Sequence, residues 1–134
     1  MILQLRQQHK ELLRQEANRV RPIEACGMLF GKPSRMRTIV EKIILTQNTL
    51  SSSERFEINP ETAVKAIRES EEDDLDLIGL FHSHSAPANP SKTDLKFMKL
   101  WGSAIWLILS LTDGQFAAFQ VENGKLETVV IEVE

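Results

Sequence analysis

The sequence predicts an α+β fold that ends in an antiparallel meander. Three observations carry this reading. Gln7 to Val20, and the stretch beginning at Asn59-Pro60, repeat their apolar residues at threes and fours, as helices do. The last third of the chain changes to apolar or alternating runs with the period of strands. Asp113-Gly114 and Asn123-Gly124 separate those runs, and both dipeptides are strong hairpin signals. No internal repeat, low-complexity tract or linker interrupts the chain, so one domain over residues 1–134 is expected.

After a short apolar start, Ile2 to Leu5, the first helix carries Leu12, Leu13, Ala17 and Val20 on one side. Pro22 closes it, because the residue before a proline avoids the helical region. Ala25 to Gly31 reads as a buried strand. Arg37 to Thr46, dense in β-branched residues, reads as another. Asn48 to Ser53 is a polar loop, and Arg55 to Ile58 is read as a short strand. Asn59-Pro60 supplies an N-cap followed by proline at the first helical position; Ala63, Val64 and Ile67 then form an apolar face. The acidic cluster Glu69 to Asp74 is a solvated helix end and turn. Leu75 to Phe81 is a buried strand, and a loop of Ser, Ala, Pro and Asn leads to a helix that starts near Ser91 and carries Leu95, Met98 and Trp101. Ile105 to Leu111, Phe116 to Val121 and Leu126 to Val133 make the closing meander.

Composition excludes several classes of function. A chain of 134 residues can bury roughly two-thirds of its unfolded surface and so sustain its own core. Sixteen Lys and Arg against nineteen Asp and Glu give a net charge of −3, which argues against a nucleic-acid module. No apolar run reaches the ~18–20 residues that span a bilayer. The start, Met1 to Arg6, lacks the layout of a secretion signal. Cys26 is the only cysteine, which rules out an intrachain disulfide and the CxxC zinc and redox classes. The expectation is a cytoplasmic domain with no membrane role. Cys26 itself reads as buried and inert, His9 as structural on the first helix, and Trp101 and Trp106 as core.

The informative stretch runs from Gly79 to Asp94. His82 and His84 lie two apart at the end of an apolar strand, so both imidazoles leave the same face and can converge. Asp94, in the first turn of the following helix, adds a carboxylate. Two imidazoles and a carboxylate suit zinc and leave a fourth position open for water. Each part has a plainer meaning by itself. A His-Ser-His triplet is a weak signal, and Ser91-x-x-Asp94 before an apolar helix is a capping box with Asp in place of Glu. The cap is compatible with chemistry by the remaining lone pairs.

These residues resemble the JAMM (MPN+) metalloprotease signature, in which His-x-His is followed by a short loop and Ser-x-x-Asp. Upstream, Pro22-Ile23-Glu24-Ala25-Cys26-Gly27-Met28-Leu29-Phe30-Gly31 is similar to the family's Glu-x-Cys-Gly-x-Leu-x-Gly element. The order of elements, including Phe56 and Asn59-Pro60, extends the resemblance over nearly the whole chain. Two departures stand out. Ser85 follows His84 where the family usually has proline, and six residues separate His84 from Ser91 where seven are usual. The spacing of Ser91 to Asp94 is kept.

The resemblance implies an MPN/JAMM-type fold: a cytidine-deaminase-like, curved mixed sheet flanked by helices. It further implies one catalytic Zn2+ held by His82, His84 and Asp94. Glu24 would take a proton from the attacking water and pass it to the leaving amine, and Ser91 would donate a hydrogen bond to the oxyanion. The reaction implied is hydrolysis of an amide or isopeptide bond at the C-terminus of a ubiquitin-like protein. The chain is too short for the insertions that select polyubiquitin linkages, and so looks like the compact prokaryotic members. Those act on ubiquitin-like modifiers or trim sulfur-carrier β-grasp proteins ending in Gly-Gly. The choice between these two, and the existence of a homodimer, stay open at this point. Two other classes compete. A non-catalytic MPN scaffold is disfavoured because all five site positions are present. A cupin-like metal hydrolase is disfavoured by the glutamate after the first helix and by the helix after the loop.

Overall fold

Residues 1–134 are described by a computed structural model with three helices and seven strands. They are β1 (Ile2–Leu5), α1 (Gln7–Val20), β2 (Cys26–Lys32), β3 (Arg37–Thr46), α2 (Pro60–Glu72), β4 (Asp76–His84), α3 (Lys92–Leu100), β5 (Ile105–Ser110), β6 (Phe116–Glu122) and β7 (Lys125–Val133). All seven strands join one mixed sheet in the order β1-β3-β2-β4-β5-β6-β7. Its two ends meet. β1 lies parallel to both β3 and β7, so the sheet closes into a barrel rather than remaining an open curve. The four residues of β1 are too few to show a period, which is why the sequence reads them only as an apolar start.

The strands divide the interior in two. One core cluster takes residues from every strand and, among the helices, only from α1, through Leu13 and Ala17. The other, on the opposite face of β2, β4, β5 and β6, is closed by Ala66 of α2 and Met98 of α3. β2, β4 and β5 are therefore covered on both sides, and their continuous apolar runs follow from that position. Alternation sorts the side chains: Met28 and Phe30 go to one cluster and Leu29 to the other. Between β2 and β4 the register shifts at Leu29/Phe30, leaving Ile78 outside the Cα pairing.

The expected helices and meander are present, the two hairpins turning at Gly114 and Gly124 with positive φ. Two local expectations are overturned. Arg55 to Ile58 forms no strand, because its backbone is tied to the side chain of Asn48 and the neighbouring Thr49 instead of to a sheet. Trp101 is not core but 41 % exposed, capping the end of α3, whereas Trp106 in β5 is fully buried. His9 has a structural task, its Nδ1 accepting from the Arg6 N–H at 3.2 Å as α1 begins. No helix is long and apolar enough to cross a membrane.

For the site, the decisive connection is β4–α3–β5. β4 and β5 are parallel and adjacent, with His82 opposite Ile108 and His84 opposite Ser110. Their close approach requires Gly79, since any Cβ there would run into the backbone oxygen of Ile105. The end of β4 and the start of α3 are thereby fixed to the same edge of the barrel.

Candidate active site

His82 and His84 leave the same face of β4, as the strand period requires, and their Nε2 atoms stand 2.9 Å apart. Asp94 of α3 brings Oδ2 to 3.0 Å from His82 Nε2 and 3.1 Å from His84 Nε2. All three residues are buried. If both Nε2 atoms carry protons for Asp94, those protons crowd each other across the 2.9 Å between the rings, and if neither does, lone pairs face lone pairs. A cation satisfies all three atoms at once. Around a tetrahedral ion with bonds of 2.0–2.1 Å, neighbouring ligand atoms stand ~3.3 Å apart, close to the spacing present. The residues fit a divalent metal.

Asp94 is held by the start of its own helix. Ser91 Oγ accepts from the Asp94 N–H and Asp94 Oδ2 accepts from the Ser91 N–H, both at 3.0 Å, which is the capping box read from the sequence. The oxygen that completes the cap is thus the same oxygen that meets the histidines. Burial would by itself raise the Asp94 pKa. Hydrogen bonds from His82 and His84, with the Ser91 N–H, outweigh it and hold the carboxyl well below the usual carboxylate range.

The two histidines differ in their support. Burial pushes the His82 pKa down in spite of Asp94, which favours the neutral ring a metal requires. Its Nδ1 is buried without a hydrogen-bond partner. The ring is set instead by aromatic neighbours: Phe56 stacks on it at 4.6 Å and 23°, and Trp106 meets it edge-on at 5.6 Å. At His84, burial also opposes charge, but the hydrogen bond and charge of Asp94 prevail and raise the pKa. His84 Nδ1 faces the Pro87 carbonyl at 3.5 Å, a long contact that would favour the tautomer with a free Nε2 lone pair.

Glu24 lies just before β2. One ligand oxygen of Glu24 and one ring nitrogen from each of His82 and His84 lie within 4.8 Å of one another, so Glu24 borders the same point. Its carboxyl is buried, and Oε1 has no hydrogen-bond partner. Burial pushes its pKa up to about 8; His84 opposes the rise, while Asp94 and Glu54 add to it. A carboxyl that titrates near neutrality beside a cluster of possible metal ligands is suited to taking and returning a proton.

The structure therefore brings Glu24, His82, His84, Ser91 and Asp94 to one edge of the barrel. It also shows residues that the sequence reading missed. Ser83, between the histidines, points to the opposite face, where its Oγ accepts from the Ala25 N–H at 2.9 Å and its N–H donates to the Ala25 carbonyl. A polar residue inside a fully buried strand was the available signal. Asn48 is buried within the polar loop, and nothing in its sequence surroundings marks it; Phe56, which the family resemblance includes without a role, lies on His82. Cys26 is buried, faces Thr46 and has its thiol pKa pushed up to about 11 by burial, as an inert cysteine should.

Residues 6–122 match the family described as prokaryotic homologs of the JAB domain, Prok-JAB. The chain belongs to that family. A desampylase of Pyrococcus furiosus is 42 % identical over 84 % of the chain and 77 % of the relative's length. A desampylase of Haloferax volcanii is 30 % identical over 84 % of the chain and 80 % of its own. Among solved structures, that of a Desulfitobacterium hafniense protein superposes with a TM-score of 0.86 at 28 % identity, covering all of this chain and 93 % of the other. That of a Salinibacter ruber protein gives 0.71 at 23 % identity, covering 96 % and 91 %, and bears on the fold alone. With the two desampylases among its relatives, this Prok-JAB protein is a hydrolase of the JAMM family.

Proposed function

We propose that this Prok-JAB protein is a zinc-dependent metallo-isopeptidase. Its substrate would be an amide or isopeptide bond after the C-terminal Gly-Gly of a ubiquitin-like or sulfur-carrier β-grasp protein. One observation carries the reading: His82, His84 and Asp94 meet at 2.9–3.1 Å, with the unpartnered, buried carboxyl of Glu24 beside them. The names of the two relatives favour removal of a ubiquitin-like modifier over trimming of a sulfur carrier.

His82, His84 and Asp94 would hold the zinc, with Asp94 kept ionised and His82 kept neutral by their surroundings. Bound there, zinc supplies a water acidified towards neutrality and a Lewis acid for the scissile carbonyl. Glu24 takes a proton from the attacking water and returns it to the leaving nitrogen, one carboxyl serving as base and then as acid. Ser91 uses its Oγ lone pair for the cap, which leaves the hydroxyl proton free to donate to the developing oxyanion.

The test combines metal analysis with cleavage of a Gly-Gly-linked amide. Glu24→Gln keeps the shape of the side chain and removes the base. The expected result is unchanged zinc content with turnover lower by about 10²–10⁴. Equal cleavage by wild type and variant would remove Glu24 from the mechanism. Wild-type protein that holds no zinc would end the reading altogether.

A further inference from the structure

Glu24 stands outside the sheet that gives the histidines their rigidity. β2 begins only at Cys26, so no strand partner is available to fix the peptide groups of Glu24. The 48–52 turn does this instead. The Glu24 N–H donates to the Ser52 carbonyl at 2.8 Å, and the Glu24 carbonyl accepts from Asn48 Nδ2 at 3.1 Å. Both main-chain polar groups of the residue are therefore claimed by one turn.

That turn is organised by a single side chain. Asn48 is 6 % exposed and uses all of its hydrogen-bonding capacity. Nδ2 donates to the carbonyls of Glu24, Arg55 (2.9 Å) and, more distantly, Ser52 (3.4 Å). Oδ1 accepts from the N–H groups of Leu50 (3.1 Å) and Glu57 (3.2 Å). The bonds to Arg55 and Glu57 flank Phe56, the ring stacked on His82. One amide thus connects the backbone of Glu24 to the segment that packs against a histidine of the proposed metal centre.

We infer that Asn48 is a positioning residue for Glu24, holding the carboxyl over the His82–His84 pair by fixing both the peptide and the loop. The inference rests on the proposed role of Glu24 as the proton-transferring group. Asn48 touches no substrate in this scheme. Its effect passes entirely through the placement of Glu24, where an error of about 1 Å is enough to cost ~10²-fold in rate.

Asn48→Asp is the sharpest perturbation. It is isosteric and keeps the acceptor for Leu50 and Glu57, but turns an oxygen towards three carbonyls and so releases Glu24 and Arg55. Asn48→Ala removes both sets of bonds and serves as the second variant. The first measurement is amide hydrogen exchange, which needs no activity. The Glu24 amide should exchange at least ~30-fold faster in both variants, while Met28 and Leu29 within β2 change by less than about threefold. Acceleration shared equally by Glu24, Met28 and Leu29 would overturn local positioning, as would failure of both variants to fold.

The second measurement is turnover of a Gly-Gly-linked amide by zinc-loaded protein. Asn48→Asp should lower kcat by about 10–100-fold and leave KM within about threefold. In a Glu24→Gln background the same change should lower the residual rate by less than about twofold, because the group it positions has already gone. An equal loss in both backgrounds would make Asn48 a general structural residue and refute the inference. Wild-type protein inactive on every such substrate would refute the proposed function instead, and the exchange data would still decide whether Asn48 holds Glu24.

Discussion

Replacing Glu24 by Gln should stabilise the metal-free protein, by an amount that grows with pH. The pKa of the buried Glu24 carboxyl is pushed up to about 8 from the ordinary 4.5, chiefly because burial disfavours its charged form. The folded state thus holds this proton more tightly than the unfolded state. For an acid with a raised folded pKa, stability is greatest below the unfolded value, declines from pH 4.5 to about 8, and is constant above that. Glutamine does not titrate, so the difference between variant and wild type isolates this one group, while His82, His84 and Asp94 contribute to both. Each pH unit of the window corresponds to ~1.4 kcal/mol at full linkage. Solvent screening and relaxation of the 48–58 loop reduce the total, and we expect about 1–3 kcal/mol at the plateau, or roughly 3–10 °C in Tm for a domain of this size. Urea unfolding in the presence of chelator, at intervals from pH 5 to 9, measures the difference directly. A difference that stays flat over that range, or that moves in favour of wild type as pH rises, would refute the assignment of a strained, buried carboxyl at this position.

Three further outcomes follow from the same geometry. Zinc content should be about one ion per wild-type chain and should fall sharply in His84→Ala, whose Nε2 is one corner of the triangle; equal zinc in the two proteins would remove His84 from the ligand set. Ser91→Ala should cost ~0.5–2 kcal/mol through the lost cap and about 10²–10³ in turnover if the hydroxyl also serves the oxyanion; normal turnover of the folded variant would leave Ser91 the cap alone. Ser83→Ala should cost ~1–3 kcal/mol in chemical denaturation because it strands the Ala25 N–H in a dry site, and a change below about 0.5 kcal/mol would show that the bond is replaced.

Much of this protein is legible in its sequence, for reasons that differ by element. α1, α2 and α3 announce themselves because one face of each must meet a strand, and the capping residues Asn59 and Ser91 sit where the structure uses them. The hairpins are legible because positive φ at Gly114 and Gly124 restricts the residues allowed there. The closure of the barrel is not legible. It depends on β1 pairing with both β3 and β7, and such long-range partners leave no local pattern. The site divides in the same way. His82, His84 and Asp94 can be read from strand period and helix start, and Ser91 from the cap. Glu24, by contrast, stands out only through the family resemblance, since a glutamate before a strand has no periodic signature. Asn48 reaches Glu24 by a hydrogen bond across a sequence separation of 24, and Phe56 stacks on His82 across one of 26, well beyond the reach of any local rule.

The shortened loop shows how local and distant constraints combine. Six residues, Ser85 to Pro90, replace the usual seven between His84 and Ser91, and Ser85 stands in place of proline. Asp94 nevertheless reaches both imidazoles within 3.1 Å. The capping box accounts for this, because Ser91 and Asp94 are bonded to each other in both directions and are delivered as one rigid unit. The loop has only to place that unit, and its internal turn, with the Asn89 N–H on the Pro87 carbonyl, is compact enough to do so. On the other side, α3 is fixed by Met98 in the core it shares with Trp106 and Ile108 of β5. Helix start and histidines are therefore tied to the same parallel strand pair, β4 and β5, so the carboxylate is placed by the cap and the packing of α3 as well as by the loop. The geometry that matters for chemistry is carried by the cap and the sheet.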